Sequence, residues 1–234
     1  MRLHTELLSP TPPRDVAVVI DVLRMTTTAS NLFARGLSEL FVVAELDDAR
    51  AQAARTGALL LGERGGHPVP GFDGGNSPLE RLEVAGRSAV LCTTNGSRAV
   101  AAVAPARHVL LGSVVNARAT AARALTLAKS GITLVCAGTL GRVSLDDVVG
   151  AGCVARELLK LEPSLRTGDA TALALSLVEG QRDLGALLRR AEHARHLLTL
   201  GYARDVAFAA RLNALEAVPE RDPKNPLRFT LPER

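Results

Sequence analysis

Two pairs of oppositely charged residues stand where predicted strands end. Asp21 closes a β-branched run and Arg24 follows it three positions later, while Glu63 and Arg64 are adjacent. Carboxylate oxygens suit a hard cation such as Mg²⁺, and a guanidinium suits the oxygens of a phosphate or sulfonate. A local ion pair beside a helix cap at Thr26 explains the first pair equally well. Two such pairs at strand ends nevertheless favour a site that binds an anion and a cation.

A second group of polar residues precedes predicted helices. Thr94, Asn95 and Gly96 belong to a turn before a helix N-terminus, where free N–H groups and the helix dipole favour an anion. Plain capping by Ser97 is the alternative. Asp147 opens a later helix, where it nearly completes a capping box, but it also follows a strand. These residues are further candidates for the same site.

Glu63 and Arg64 belong to a glycine-rich segment, Leu61 to Pro78, which contains six glycines and three prolines. This composition predicts a loop that no helix or strand crosses. The charge runs typical of disordered segments are missing from it. We therefore expect a functional loop rather than a merely solvated one.

Strands and helices alternate over residues 1–144. The predicted strands are Val16–Asp21, Leu40–Val43, Ala58–Leu61, Ala89–Leu91, His108–Leu111 and Ile132–Cys136. The predicted helices are Thr26–Ala34, Asp47–Arg55, Leu79–Val84, Ser97–Val103 and Ala117–Lys129. This α/β alternation predicts right-handed crossovers and a mostly parallel sheet with helices on both faces. Ligands bind at the carboxyl ends of such strands, so Asp21, Glu63 and the turn at Thr93–Gly96 are expected to converge at one edge.

Helical patterns dominate after residue 144. The predicted helices are Asp146–Leu161, Ala170–Glu179, Leu184–Leu200 and Tyr202–Leu215, followed by an extended tail from Val218 to Pro226. We predict a single domain over residues 1–234, with an α/β core at 1–144 and a helical C-terminal lobe at 145–234. The last, alanine-rich helix could serve a homodimer. His193 and His196 share a helix face, but the arginines around them predict a solvated surface, so we place no metal site there.

Composition excludes some classes of function. Aromatic residues make up 3% of the chain and Trp is absent, which argues against the stacking platforms of single-stranded nucleic-acid binding. The net charge of +4 is spread thinly, which favours a small anionic ligand over nucleic acid. The first thirteen residues lack the apolar core of a signal peptide, and no apolar run is long enough to span a bilayer. We expect a cytoplasmic protein that does not bind membranes.

The cysteines offer a different catalytic chemistry. Cys92 and Arg98 have the C-x₅-R spacing by which cysteine phosphatases surround a phosphate. The match is weak on its own, because Ala99 replaces the hydroxyl residue usual after the arginine. A free cysteine is also more often a buried strand residue than a nucleophile. A metal-independent cysteine phosphatase is kept as an alternative.

Several segments together resemble the 2-phosphosulfolactate phosphatase family. They are Asp21-Val22-Leu23-Arg24 with Thr26-Thr27-Thr28, Gly62-Glu63-Arg64-Gly65-Gly66, Gly71-Phe72-Asp73, Gly75-Asn76-Ser77-Pro78, Thr93-Thr94-Asn95-Gly96, Asp147 with Ala151-Gly152, and Gly201 with Asp205-Val206 and Phe208-Ala209. The resemblance covers nearly the whole chain. It implies a three-layer α/β/α fold and a Mg²⁺-dependent phosphatase. Such an enzyme releases phosphate from 2-phospho-3-sulfolactate, or a related small phosphorylated hydroxy acid, and gives 3-sulfolactate, a precursor of coenzyme M.

Within this resemblance, roles can be assigned to the candidate residues. Asp21, Glu63 and Asp147 are expected to hold Mg²⁺ and, with Arg24, to form the catalytic group. The expected substrate-binding residues are Arg24, Arg64, Asn76, Thr94, Asn95 and Gly96. Whether Asp21 is a metal ligand or a nucleophile stays open. A protein that binds a phosphorylated metabolite without turning it over is the alternative from another class.

Overall fold

The computed structural model describes residues 1–8 and 15–232. The strands are β1 (Arg2–Glu6), β2 (Val16–Ile20), β3 (Glu39–Val42), β4 (Leu59–Arg64), β5 (His67–Pro68), β6 (Ser88–Cys92), β7 (His108–Gly112), β8 (Gly131–Cys136), β9 (Arg166–Thr167), β10 (Glu220–Arg221) and β11 (Arg228–Thr230). The helices are α1 (Met25–Ala34), α2 (Leu46–Thr56), α3 (Gly96–Ala102), α4 (Ala117–Leu127), α5 (Leu145–Leu161), α6 (Asp169–Val178), α7 (Leu184–Leu188), α8 (Glu192–Thr199) and α9 (Ala203–Ala209). A 3₁₀ turn covers Val114–Asn116.

The described strands form one sheet in the order β5-β4-β6-β3-β11-β10-β7-β2-β8-β1-β9. Strand β2 is buried along its whole length because it runs parallel to β7 on one side and β8 on the other. Strands β3, β4 and β6 form a second parallel group. One apolar cluster centres on α4, α5 and α6, and another on α1 and α3. The predicted three-layer α/β/α fold with a mostly parallel sheet is thereby confirmed.

The C-terminal tail joins the two parallel groups. Strand β10 pairs antiparallel with β7, strand β11 pairs antiparallel with β3, and the two tail strands pair with each other. Phe229 of β11 is fully buried in the cluster below the sheet. The tail that the sequence predicts as extended is therefore part of the central sheet, which ties residues 145–232 to the α/β core.

The glycine-rich segment differs from its prediction. Strand β4 continues through Gly62 to Arg64, and β5 returns antiparallel to it. Gly65 and Gly66 make the turn with φ values of 60° and 85°, a region that glycine adopts without steric cost. The prediction that no strand crosses this segment was wrong for its first residues, because the two glycines allow a tight hairpin.

Three predicted helices also differ. Residues 79–84 are not helical, since the carbonyl groups of Glu80 and Leu82 accept hydrogen bonds from the Arg35 guanidinium. The long helix predicted from residue 184 is divided into α7 and α8 by the extended, buried Ala191. The helix predicted up to residue 215 ends at Ala209, after which the chain turns to bond the 3₁₀ turn.

Strand β1 is absent from the sequence predictions. Its buried and exposed residues alternate, with Leu3 and Thr5 facing inward. Five residues of mixed polarity are too weak a pattern to predict a strand without the neighbouring β8. No helix in residues 1–8 and 15–232 is long and apolar enough to cross a membrane.

Close packing of α5 on α6 leads to a stability prediction. A Cβ atom on Gly152 would lie 2.2 Å from the carbonyl oxygen of Ala174. We expect Gly152→Ala to lower the free energy of unfolding by about 1–3 kcal/mol, because the two helix backbones must move apart. Urea unfolding followed by circular dichroism measures the change.

Gly168→Ala is the matched control. A Cβ atom there meets nothing within 4 Å, so the expected loss is below about 1 kcal/mol. Equal losses in the two variants would contradict the packing argument.

Candidate active site

A cavity of about 230 Å³ lies at the carboxyl ends of β2, β4, β6 and β8. Its wall includes six of the residues predicted from sequence, which are Asp21, Arg24, Glu63, Asn76 and, from the turn after β6, Thr94 and Asn95. The expected convergence at one sheet edge is therefore found for these side chains. Gly96, Arg64 and Asp147 are not part of the wall.

Asp21 is positioned by the turn between β2 and α1. One carboxylate oxygen, Oδ1, accepts a hydrogen bond from the Met25 backbone N–H at 3.2 Å. The Thr26 hydroxyl accepts from the Asp21 backbone N–H and donates to its carbonyl oxygen. A Cβ atom on Gly96 would lie 2.4 Å from Asp21 Oδ2, so Gly96 leaves room for this carboxylate. Thr26 thus stabilises the turn, while the Asp21 side chain stays directed at the cavity.

The local ion pair of Asp21 with Arg24 is not found. The Arg24 guanidinium instead contacts a carboxylate from α9, with Nη1 3.0 Å from Oδ2 of Asp205. A second nitrogen, Nη2, donates to the carbonyl oxygen of Gly66 at 2.9 Å. Arg24 therefore reaches across the cavity wall and away from its sequence neighbour.

Glu63 connects two of the predicted segments. Its Oε1 accepts the Thr94 backbone N–H at 2.7 Å, and its Oε2 accepts the Gly66 backbone N–H at 2.8 Å. The amide of Thr94, predicted to bind substrate, is therefore occupied by Glu63. The turn itself is held locally, since Thr93 and Ser97 exchange hydrogen bonds through their hydroxyls and backbone amides.

Asp147, the third predicted metal ligand, faces the backbone. Its Oδ1 accepts the Val22 N–H at 3.0 Å and its Oδ2 accepts the Gly138 N–H at 2.9 Å. The Asp147 carboxylate therefore links the loop after β2, through Oδ1, to the loop after β8, through Oδ2. The capping-box explanation is also wrong, because the Ser144 side chain makes no capping hydrogen bond and the Asp147 carboxylate accepts from Val22 and Gly138 instead of from the Ser144 backbone N–H.

Asp146 is the acid that sequence reasoning passed over. It is 1% exposed, and its Oδ1 accepts the Ser144 hydroxyl at 2.5 Å. Burial raises the pKa of Asp146. Burial, followed by repulsion from Asp146, raises the pKa of Asp21 to about 7, with Glu63 adding to the shift. The cavity is thus backed by acids that repel one another.

Two polar atoms on the cavity wall have no hydrogen-bond partner among residues 1–8 and 15–232. They are Oδ1 of Asn76, which is 4% exposed, and the hydroxyl of Thr94. A buried polar atom without a partner is costly, so native sites usually satisfy it with a ligand, an ion or water. These two atoms, on a wall that also holds Asp21, indicate that the cavity binds a polar ligand.

Another part of the wall comes from helix α8 and the loop before α5. His193 and His196 of α8 line the cavity, together with Arg142 from the loop before α5. Burial lowers the pKa of His193, while Asp146 and Glu63 act in the opposite direction. The neighbouring arginines had predicted a solvated surface, and only the packing of α8 over the sheet edge reveals that both histidines face the site.

The cysteine alternative is not supported by the arrangement of its residues. Cys92 is fully buried and away from the cavity wall, and burial raises the pKa of its thiol. The guanidinium beside it belongs to Arg64, whose Nη2 lies 3.2 Å from Cys92 Sγ. Arg98 is exposed and pairs with Glu45 at 3.9 Å. Arg64 and Arg98 therefore do not surround a phosphate together with the thiol.

The acids of the cavity suit a hard cation only in part. In the described ranges 1–8 and 15–232, no three His, Cys, Asp or Glu side chains come close enough to hold a metal ion by themselves. Asp21 and Glu63 still offer carboxylate oxygens on the wall, with Asp146 behind them and the unpartnered Asn76 Oδ1 nearby. An all-oxygen set of this kind fits Mg²⁺, which keeps several waters and binds few carboxylates directly.

Comparisons with known proteins point to one family. A family model described as 2-phosphosulpholactate phosphatase matches residues 3–224. A probable 2-phosphosulfolactate phosphatase of Deinococcus radiodurans is 45% identical over 223 residues, which cover 94% of this chain and 92% of the relative. Proteins with the same description from Carboxydothermus hydrogenoformans and Thermus thermophilus are each 39% identical, covering 87% and 88% of this chain and 84% and 87% of the relatives. The resemblance deduced from the sequence motifs is confirmed.

The raised pKa of Asp21 predicts how stability depends on pH in the presence of a chelator. The pKa is 3.8 in the unfolded chain and about 7 in the folded one, so between these values only the unfolded chain loses the proton. This carboxyl therefore lowers stability increasingly as pH rises through that window, and the penalty is complete above about pH 7. Asp21→Asn is expected to be more stable than the wild type at about pH 8, with a difference that shrinks towards about pH 4.

Thermal unfolding in EDTA across this pH range measures the difference. Glu216→Gln, which alters an exposed pair with Arg118, serves as the control and should show little pH dependence. A difference between Asp21→Asn and wild type that stays constant over the window would refute the burial of an uncompensated charge.

Proposed function

The chain belongs to the 2-phosphosulpholactate phosphatase family, and on that premise we propose that it hydrolyses 2-phospho-3-sulfolactate to 3-sulfolactate and inorganic phosphate. The observation that carries the proposal is the cavity at the sheet edge, where acids and cationic side chains share a small volume. A related small phosphorylated hydroxy acid is the alternative substrate. The place of the product in coenzyme M synthesis, a cytoplasmic location and a homodimer stay predictions.

Recognition of the substrate falls to groups on different parts of the cavity wall. A phosphosulfolactate carries phosphate, carboxylate and sulfonate groups, so several cationic or N–H groups must face it. Arg24 supplies one from the core, and Arg142, His193 and His196 supply others from the C-terminal side. Asn95 contributes less than predicted, because its Oδ1 accepts the Leu140 N–H at 3.2 Å.

Mg²⁺ is the proposed cofactor, with Asp21 and Glu63 as the residues that would hold it. Its chemistry would be to neutralise charge on the phosphoryl oxygens. Asp146 would add negative charge behind Asp21, and Asp147 would keep the loops after β2 and β8 in place through its two backbone contacts. Asp147, unlike Glu63, is not part of the cavity wall, so we assign it a positioning role instead of the predicted role of a direct ligand.

The chain's own residues must also orient the ester and manage the proton. Arg24 would hold phosphoryl oxygens, and the narrow cavity would limit the water that reaches them. Without a bound cation the pKa of Asp21 is about 7, so its carboxylate would take up a proton near neutral pH. With Mg²⁺ bound that pKa would fall, and the ionised Asp21 would act as a ligand, or it would attack the phosphorus while the sulfolactate oxygen leaves, after which water would hydrolyse the aspartyl phosphate.

Phosphate release tests the function directly. The purified chain, mixed with 2-phosphosulfolactate and other small phosphomonoesters, is expected to release phosphate with Mg²⁺ and to lose this activity in EDTA. Cys92→Ser should retain turnover, because the thiol is buried and its pKa is raised. Binding without phosphate release would favour the non-catalytic alternative. Full activity in EDTA that disappears in Cys92→Ser would favour the cysteine mechanism.

The neighbouring acids Asp146 and Asp147 of α5 should respond differently to replacement by asparagine. Asp146→Asn is expected to weaken Mg²⁺ dependence or turnover by about 10- to 100-fold with little loss of stability, as for groups behind a metal ligand. Asp147→Asn is expected chiefly to lower the melting temperature. The two Asp147 oxygens each accept one buried backbone N–H, and the substitution replaces one of these oxygens with an NH₂ donor, which leaves one N–H without an acceptor.

Asp169→Asn is the matched control, since Asp169 is also an acid in the first turn of a helix but is exposed. Asp169→Asn should leave both the turnover and the melting temperature nearly unchanged. An Asp146→Asn variant with unchanged kinetics would remove Asp146 from the proposed site.

A further inference from the structure

The guanidinium of Arg24 is held on several sides. The ion pair with Asp205 is almost fully buried, with side-chain exposures of 2% and 4% at a distance of 3.0 Å. Tyr202, just before α9, places its ring under the guanidinium, 4.1 Å from ring centre to Cζ. The Gly66 carbonyl takes a second nitrogen. The orientation of the planar guanidinium group is therefore determined by Tyr202, by Asp205 of α9 and by the β4–β5 turn together.

Asp205 is committed to this arrangement. Its Oδ2 faces Arg24, and its Oδ1 accepts the Ser77 hydroxyl at 2.9 Å. Asp205 is also not part of the cavity wall, so its carboxylate serves Arg24 and Ser77 rather than a ligand in the cavity. A buried ion pair rarely adds much net stability, since desolvation offsets attraction, so its value is more often in fixing a geometry.

Arg24 has further N–H groups besides the two that contact Asp205 and Gly66. Among the described residues these groups have no hydrogen-bond acceptor, and Arg24 lies on the cavity wall. We propose that Asp205 is a positioning residue, which fixes the Arg24 guanidinium so that its remaining N–H groups face the phosphoryl group of the substrate. This inference rests on the proposed function.

The test uses inorganic phosphate as the probe, with affinity measured by isothermal titration calorimetry in the presence of Mg²⁺. Asp205→Ala is expected to raise the Kd for phosphate by roughly 10- to 100-fold, because a misplaced binding group loses most of its effect. Asp205→Asn should give a smaller rise, since an amide oxygen still accepts from Arg24 but more weakly. Tighter binding by Asp205→Asn would show that Asp205 only neutralises Arg24, and would overturn the proposal.

A double-mutant cycle shows whether Asp205 acts through Arg24. In an Arg24→Ala background, the same Asp205 substitutions should leave the Kd for phosphate unchanged. An equal effect with and without Arg24 would overturn the proposal. If Asp205→Ala does not fold, Asp205→Asn and Ser77→Ala carry the cycle, because Ser77 donates to the same carboxylate.

Val206→Ala is the matched control for lost stability. Val206 follows Asp205 on α9 and is buried in the apolar cluster that also contains residues of α5 and α8. It should lower the melting temperature without changing the Kd for phosphate. A comparable rise in Kd for Val206→Ala and Asp205→Asn would mean that the ion pair only stabilises the fold.

The outcome is separable from that of the proposed function. If the wild type binds phosphate but releases none from any phosphomonoester, the proposed hydrolysis fails while the cycle still reports on Asp205. If turnover is present, the KM for the ester should rise in parallel with the Kd for phosphate. Turnover with no change in KM or Kd in any Asp205 variant would leave the function intact and refute the positioning role.

Discussion

Mutual repulsion among buried acids is the constraint on which the sheet edge depends. Burial disfavours ionisation of Asp21, and the negative charges of Asp146 and Glu63 add to the effect. Nearby hydrogen-bond donors partly compensate this negative charge. Backbone N–H groups of Met25, Thr94 and Gly66 point at these acids, and the Ser144 hydroxyl donates to Asp146. A cation and an anionic ester would complete the balance that the protein groups leave partial.

The C-terminal region is held against this edge by an ion pair, by helix packing and by strand pairing. Asp205 pairs with Arg24, α8 brings His193 to the cavity, and the tail strands pair inside the sheet. Residues far apart in sequence therefore depend on one another. Helix α8 lines the site through its histidines, and α9 supports the site through the ion pair of Asp205 with Arg24.

Much of the fold and part of the site could be predicted from local sequence. The predicted strands are runs of β-branched and aliphatic residues, and the positions that follow three of them hold Asp21, Glu63 and Thr94. Parallel strands bring such positions to one edge whatever the loops do, so the convergence followed from pattern alone. The hairpin at Gly65 was missed because two glycines permit a tight turn without requiring one, and the helix break at Ala191 was missed because it depends on packing in the core.

By itself the sequence determined the α/β class, the family, and the acids and arginine at the strand ends, since each depends on short periodicities and on motifs with fixed spacing. Only the tertiary structure decided how those groups are used. It turned Asp147 towards backbone amides, brought Asp146 behind Asp21, paired Arg24 with Asp205, and faced His193 to the cavity. Side-chain direction depends on which neighbours a residue meets across the fold, and no local pattern encodes a partner 181 residues away.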